Sequence, residues 1–206
     1  AIIDRGPPAS SGIHGGRIRR ELLRNMQKRF WKEAWGIAGI SSCGGFVVSP
    51  AHLKLVNGMA GGDLKLFVLP SGTEPNHYLE EKTDPSTLLK LAYIGRIDKK
   101  RGLGGIFVLS EILEDNGINH SVVLMGEGDM TEDFIIRTEK DPKFSFRGKL
   151  NRNEIRKLLA QQHVGIMPMP DIAVWRISSP IKLAEYAASG MAIVGPSHVG
   201  NQLGGG

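Results

Sequence analysis

Apolar and polar positions change rhythm near residue 86. From there on, short apolar runs of strand length alternate with longer runs at helical spacing. LAYIG, SVVLMG, FSFRG, VGIMPM and MAIVGP are the short runs, and LGGIFVLSEILEDNG, MTEDFIIRTEK, NRNEIRKLLAQQ and PIKLAEYAAS lie between them. In the first long run Ile106, Leu109, Ile112 and Leu113 fall on one side of a helix, and Gly117 ends it. Strands joined by single helices of this length need parallel crossovers. The pattern predicts a doubly wound parallel sheet over 86–206, with helices on both faces.

Before residue 86 the rhythm is shorter and partial. AIID opens like the end of a buried strand, and RGPPASSGIHGG is a loop. Arg17 to Trp35 is predicted as a helix with Ile18, Leu22, Met26, Phe30 and Ala34 along one face. GGFVVSP follows as a strand, AHLKLVNG as a helical turn or two, and LKLFVLPSG as a strand running into a Gly/Pro turn. The joint falls in LEEKTDPSTLLK around Asp84-Pro85, which divides the chain into 1–85 and 86–206.

Composition narrows the classes without naming one. No apolar run approaches the ~20 residues of a bilayer span, and the first residues lack the charged-then-apolar pattern of a signal peptide. A single cysteine, Cys43, excludes an internal disulfide, and no Cys/His cluster has zinc-ligand spacing. These features suit a reducing cytoplasm and predict no metal site. The net charge of +5 is concentrated: Arg17, Arg19, Arg20, Arg24, Lys28, Arg29 and Lys32 face only Glu21 among the acids of that stretch. Such a run suits phosphate-rich partners or an anionic membrane surface.

Candidate chemistry sits where the strands end. In an open parallel sheet ligands bind outside the carboxyl ends of the strands. There the chain reads GRIDKKRG, GEGDM, RGKL and PMPDIAVWRISSP, each supplying glycine, charge or both. In SSPIKLAEYAASG, Ser179 is predicted as an N-cap, Pro180 as the first helical residue and Gly190 as the stop. The unpaired N–H groups and positive dipole end of that helix would then favour an anion such as a diphosphate. Lys182 in the first turn can reach an anion held there. Glu185, three residues on, can accept hydrogen bonds from two vicinal hydroxyls such as a ribose. A solvated helix face whose lysine and glutamate aid solubility fits the same two residues. Arg96, Lys100 and Arg101, following LAYIG directly, favour the ligand reading. At an effective dielectric of ~20 each cation ~4 Å from a phosphate charge contributes on the order of 4 kcal/mol before desolvation. GEGDM by itself is weak, because it lacks the six-residue dinucleotide fingerprint.

In their order and spacing these residues resemble glycosyltransferase family 4, also called group 1, of the two-Rossmann GT-B architecture. The resemblance runs from Leu91 to about Gly200. It is carried by the glycine-arginine turn Gly95-Arg96, the Gly-Glu-Gly turn Gly126, Glu127 and Gly128, the strand end Phe146-Arg147-Gly148, and a helix similar to the S-P-x-K-x-x-E-Y variant of the donor helix. It implies that Arg96 and Lys182 bind the donor diphosphate and Glu185 the ribose, and that the backbone around Lys149 and Leu150 borders the base. Arg101 stands where the family usually has a lysine before the glycine that opens the next helix. The family's paired-glutamate motif places another glutamate eight residues before Glu185, where this chain has Ile177. Residues 1–85 resemble only the second half of the family's acceptor domain, so the chain is expected to be a fragment: a donor domain with a partial second Rossmann-type domain.

The function implied is a glycosyltransferase moving a sugar from a nucleotide diphosphate sugar to an alcohol acceptor. Retention of configuration and a place in glycan or cell-envelope polysaccharide synthesis come with it. So do a glycan or lipid-linked acceptor, no cofactor beyond the donor itself, and no nucleic-acid partner. Acceptor-side catalytic residues are unassigned. A cytoplasmic protein is implied, with peripheral contact at the inner face of the membrane through the 17–35 helix, where Phe30, Trp31 and Trp35 would be interfacial anchors. An ordinary helix with a buried stripe is the competing account of that segment. A non-catalytic nucleotide-binding module is the competing account of the chain. A nicotinamide dehydrogenase on the same sheet lacks its fingerprint, and nucleic-acid binding lacks a motif.

Overall fold

The computed structural model describes residues 2–3, 16–41, 44–61, 64–78 and 81–201. The loop expected over 5–15, Cys43 and the run after Asn201 lie outside the described residues. The chain forms two compact units, one of residues up to Ser71 together with Ile172–Ser179, the other of Gly72–Asp171 and Pro180–Leu203.

In the first unit β1 (Ile2–Ile3), α1 (Arg17–Ile40), β2 (Gly45–Val47), α2 (Pro50–Ala60) and β3 (Leu66–Val68) follow in that order. The three strands are parallel in the order β1-β2-β3, with Ile2 opposite Gly45 and Gly45 opposite Leu66. α2 starts where the sequence has a good cap: Ser49 Oγ accepts from His52 N at 3.0 Å, with Pro50 at the first position. Gly61, at φ +64, ends it in the left-handed conformation. Trp35, Ala38, Val47, Val56 and Leu64 form the core, with Trp31 and Leu53 packed against it.

α1 departs from its predicted shape in two ways. It runs five residues past Trp35, to Ile40. The predicted stripe is also not the buried one, since Ile18 is 86% exposed and Leu22 and Phe30 are each 60% exposed. The face that packs carries Trp31, Trp35 and Ala38, spaced four and three residues apart. At Gly39 an added Cβ would run into the carbonyl oxygen of Ala60, so α1 meets the end of α2 at a place where only hydrogen fits. Periodicity located a stripe; which stripe is covered depends on where α2 stands.

The second unit holds β4 (Leu89–Ile94), α3 (Gly104–Asp115), β5 (His120–Met125), α4 (Thr131–Lys140), β6 (Phe144–Phe146), α5 (Arg152–Ala160) and β7 (Val164–Ile166). After β7 the chain makes the short α6 (Ala173–Arg176) within the first unit, then returns for α7 (Ile181–Ala188) and β8 (Ala192–Val194). All five strands are parallel in the order β6-β5-β4-β7-β8. Leu89 stands opposite His120 and Leu91 opposite Val164. From β4 the chain steps one way to β5 and β6, then crosses back to β7 and β8. The order therefore reverses at β4, which makes the carboxyl ends of β4 and β7 the topological switch point, where open parallel sheets generally take their ligands. Tyr93, Ile97, Leu103, Ile106, Leu124 and Phe134 are the centre of the core.

Local chemistry sets the helix ends. At α5 the Asn151 side chain accepts from Asn153 N and Glu154 N, each at 3.0 Å, while Asn151 N donates back to the Glu154 carboxylate at 2.8 Å. This capping box is readable in NRNE and contributes about 1 kcal/mol. α7 begins one residue later than predicted, with Pro180 at the cap and no side-chain cap. Ser179, expected as the N-cap, is engaged elsewhere in the first unit: its Oγ accepts from Ser71 N at 2.9 Å, and Ser71 Oγ donates to its carbonyl at 2.6 Å. Below the sheet's far edge, Lys82 donates to the carbonyls of Gln162, Ser189 and Gly190 at 2.6, 2.9 and 2.8 Å, tying the lead into β4 to the ends of α5 and α7.

Candidate active site at the switch point

Three adjacent strands end in glycines with positive φ: Gly95 after β4 at +127, Gly126 after β5 at +140 and Gly148 after β6 at +61. Gly95 N donates to Met125 O at 2.9 Å and Gly126 N to Gly148 O at 2.7 Å, so sheet-like pairing continues into the turns. A Cβ on Gly126 would collide with the carbonyl oxygen of Gly95. Backbone thus meets backbone along this edge of the sheet, with no room for a side chain between the Gly95 and Gly126 turns.

The loop after β4 carries the cations and one acid that the sequence reading passed over. Arg96 donates through Nε and Nη2 to both oxygens of Asp98, at 3.1 and 3.0 Å. Arg101 Nε lies 3.7 Å from the same carboxylate. Two guanidinium groups are therefore gathered on one anion, and the Arg96 hydrogen bond foremost holds the Asp98 carboxyl below its ordinary range. Asp98 stands two residues from Arg96 and three from Arg101, a spacing visible in RIDKKR.

Lys182, in the first turn of α7, is only 7% exposed. Its Nζ donates to Tyr93 Oη at 3.1 Å and lies 4.3 Å from the centre of the Tyr93 ring. Beside both is the bare Cα of Gly95, where an added Cβ would stand 2.9 Å from Nζ. Burial, and then the charge of Arg101, lowers the Lys182 pKa to about 7, while Glu185 acts in the opposite sense. Glu185 diverges from Lys182. It is half-buried in a cleft between α5 and α7 that Arg152 and Arg156 also line. Burial raises its pKa, and the charges of Lys182, Arg152 and Arg156 oppose that rise. Arg156 is itself committed to Glu74 at 2.8 Å, and Asn76 donates to the Arg156 carbonyl at 2.9 Å. Arg152 and Arg156, four apart on α5, were not singled out in the sequence, where they read as an ordinary polar helix face.

The remaining sequence candidates divide. Glu127 and Lys149 form an exposed ion pair at 3.7 Å at the tips of neighbouring turns, with the partly buried Leu150 next in the chain. Glu127 O also accepts from Ile97 N at 2.9 Å, which ties the GEGDM turn to the arginine loop. Pro180 leads into α7, whereas Ser179 belongs with the first unit. Among the described residues no three His, Cys, Asp or Glu side chains are gathered as a metal ion would need. No described helix is long and apolar enough to cross a membrane.

A parallel sheet reversing at β4, with glycine turns and cations along its carboxyl edge, is the Rossmann-type sheet of a GT-B-like α/β protein. Solved structures share it. Sucrose-phosphate synthase from Thermosynechococcus elongatus aligns with TM-score 0.61 and 14% identity over 96% of this chain and 50% of that protein. WaaG, a glycosyltransferase involved in lipopolysaccharide biosynthesis, gives 0.53 and 16% over 76% of this chain and 45% of its own. The pneumococcal O-GlcNAc transferase GtfA, solved with UDP and GlcNAc, gives 0.53 and 14% over 75% of this chain and 31% of its own. At these identities the likeness carries the fold alone, and the chain spans about a third to a half of the length of these proteins. No protein-family model and no curated protein matches the sequence.

Proposed function

We propose that the chain is the donor-binding part of a nucleotide-sugar glycosyltransferase of the family 4 type, with 86–206 as its donor domain. The observation that carries this reading is the burial of the Lys182 ammonium against the bare Gly95 turn, at the switch point and beside Arg96 and Arg101. A lysine is costly to bury, and one kept next to a glycine turn is suited to an anionic ligand. The donor diphosphate lies over that turn at the start of α7. Glu185 accepts the ribose hydroxyls, the Gly126-Glu127 turn flanks the phosphates, and the backbone at Lys149 and Leu150 borders the base.

The anomeric C–O bond breaks with its electron pair left on the diphosphate. The task of this chain is then leaving-group stabilisation: Lys182, Arg96 and Arg101 neutralise charge as it develops, and a fixed donor geometry lowers the entropic part of the barrier. Arg96 and Arg101 exchange part of their contact with Asp98 for contact with phosphate, so Asp98 keeps both guanidinium groups in place before a donor arrives. Transfer to an alcohol of a glycan or lipid-linked acceptor, with retention, belongs to the same reading. The exposed Ile18, Leu22 and Phe30 of α1, interleaved with Arg19, Arg20, Arg24 and Lys28, suit an anionic membrane surface on the cytoplasmic side. A nucleotide-binding module without turnover is the second reading, since every residue assigned above holds the donor and none is assigned to the acceptor.

Calorimetric titration of the chain with UDP, GDP, ADP and NAD tests both. Binding of one nucleoside diphosphate, weakened at least tenfold by Lys182→Ala and by Glu185→Ala, is expected. Preference for NAD, or indifference to both substitutions, would overturn the donor-site reading. Hydrolysis or transfer of a nucleotide sugar by the same sample separates the enzyme from the module.

A further inference from the structure

Lys182 has a neighbour that donor binding as described leaves unused. Tyr93 is fully buried, one position before the end of β4, and its hydroxyl has a fixed polarity. It donates to the carbonyl of Arg96 at 2.7 Å, so its lone pair faces Lys182 Nζ at 3.1 Å. Tyr186, the other buried phenol of the region, is already used: its hydroxyl accepts from Ile94 N at 3.1 Å and donates to Ile166 O at 3.3 Å. A Cβ at Gly95 would stand 2.9 Å from Nζ and 3.6 Å from the Tyr93 hydroxyl, so the bare turn and the phenol adjoin each other at the ammonium. The ammonium is thus seated where a phenol and a bare turn adjoin. Tyr93 is its one hydrogen-bond partner among the described residues, which leaves two N–H groups unspent.

We propose that Tyr93 is a positioning residue of the donor site: its ring and hydroxyl hold the Lys182 ammonium against the Gly95-Arg96 turn, ready for a nucleoside diphosphate. This rests on the donor-site reading. It also names a bond, Tyr93 Oη to Arg96 O, through which the strand end, the arginine turn and the lysine are set together.

The position has a proton-linkage consequence. The charged and titratable groups facing Lys182 are Arg101 from the loop after β4, Glu185 from α7 and Tyr93 from β4. Burial raises the Tyr93 pKa to about 12, so it stays a neutral acceptor for the ammonium. Lys182 titrates near neutrality, at about 7. A diphosphate favours the ammonium, so binding takes up a proton above that pH, and affinity falls as pH rises. Removing the hydroxyl removes an acceptor from the ammonium, which moves the fall to lower pH.

The test is UDP affinity of the full chain between about pH 6 and about pH 9 for wild type, Tyr93→Phe, Lys182→Met and the double variant. Tyr93→Phe keeps the ring and should weaken UDP about tenfold near neutrality, with its alkaline fall displaced about one unit to acid. On the Lys182→Met background the same substitution should change nothing further. Equal loss on both backgrounds with an unmoved pH profile would make Tyr93 a core residue only and overturn the proposal. Lack of binding of UDP, GDP and ADP alike by wild type, or an unaffected Lys182→Met, would instead overturn the donor-site reading and the proposal with it. A measurement independent of folding of the variants is the proton shift of the Lys182 ε-methylene in the wild-type chain. Ring-current displacement upfield is expected, and an ordinary solvated-lysine shift would refute the seating.

Discussion

Gly126→Ala and Gly148→Ala test whether the carboxyl edge of the sheet is held by backbone contact or by glycine's conformational freedom alone. Both residues end a strand at positive φ, +140 and +61, so both substitutions carry a backbone cost. They differ in surroundings: a Cβ at Gly148 meets nothing within 4 Å, whereas one at Gly126 collides with the Gly95 carbonyl. For Gly148→Ala only the left-handed penalty remains, about 1 kcal/mol. For Gly126→Ala a strained φ of about 1–3 kcal/mol adds to an overpacking term of about 1–3 kcal/mol, because the obstacle is strand-end backbone that cannot swing aside. The expected totals are about 1 kcal/mol against about 4 kcal/mol, to be read from urea unfolding at matched m-values. For a chain of this size that is a few degrees of Tm against roughly ten or more. Because the displaced atom belongs to the Gly95 turn, Gly126→Ala should also weaken UDP while Gly148→Ala leaves it within about twofold. Equal destabilisation by the two alanines would refute the claim that contact with Gly95 shapes this edge.

Other consequences are testable singly. Lys82→Ala removes a cation shared by three carbonyls and should cost about 2 kcal/mol, read from urea unfolding; a change under about 0.5 kcal/mol would mean that water replaces it freely. Asp98 has its pKa lowered on folding, chiefly by Arg96, so its stabilising effect is present above the unfolded value of 3.8 and is lost as pH falls through the lower folded value. Asp98→Asn should therefore flatten the acid limb of stability below about pH 4, and an unchanged acid limb would count against the Arg96–Asp98 pair.

The two arginines on Asp98 also bear on how the proposed anion site is kept ready. Exposed guanidinium groups left to themselves sample many rotamers, and ordering them on arrival of a ligand costs free energy. A carboxylate two and three residues away holds them in the loop at modest cost, since the pairs remain hydrated. Lys182 is treated differently. Its ordering comes from a buried phenol, which supplies an acceptor and a π-face without the competing charge that a carboxylate would bring.

Much of the larger unit was legible in the amino-acid order, because its signals are local. Apolar runs of strand length, helical spacing between them, glycine at strand ends and the NRNE capping box each act within a few residues, and together they specify strand and helix sequence and parallel crossovers. That Lys182 and the turn opening the arginine loop stand together at one sheet edge accords with that alternation, whereas Glu185 lies in the cleft between α5 and α7. Matters that depend on partners distant in the chain did not follow. The face of α1 that packs is chosen by α2, so Ile18, Leu22 and Phe30 are exposed although their spacing is that of a core stripe. Ser179 has the residue type of a cap, yet its hydroxyl is taken by Ser71, far upstream. Lys182 and Glu185 lie three apart on one helix, but Tyr93 from β4 and Arg152 from α5 give one an aromatic seat and the other a half-buried cleft. Spacing along a helix sets direction to within a face; burial and charge are set by whatever the fold brings against that face, and only the tertiary structure decides them.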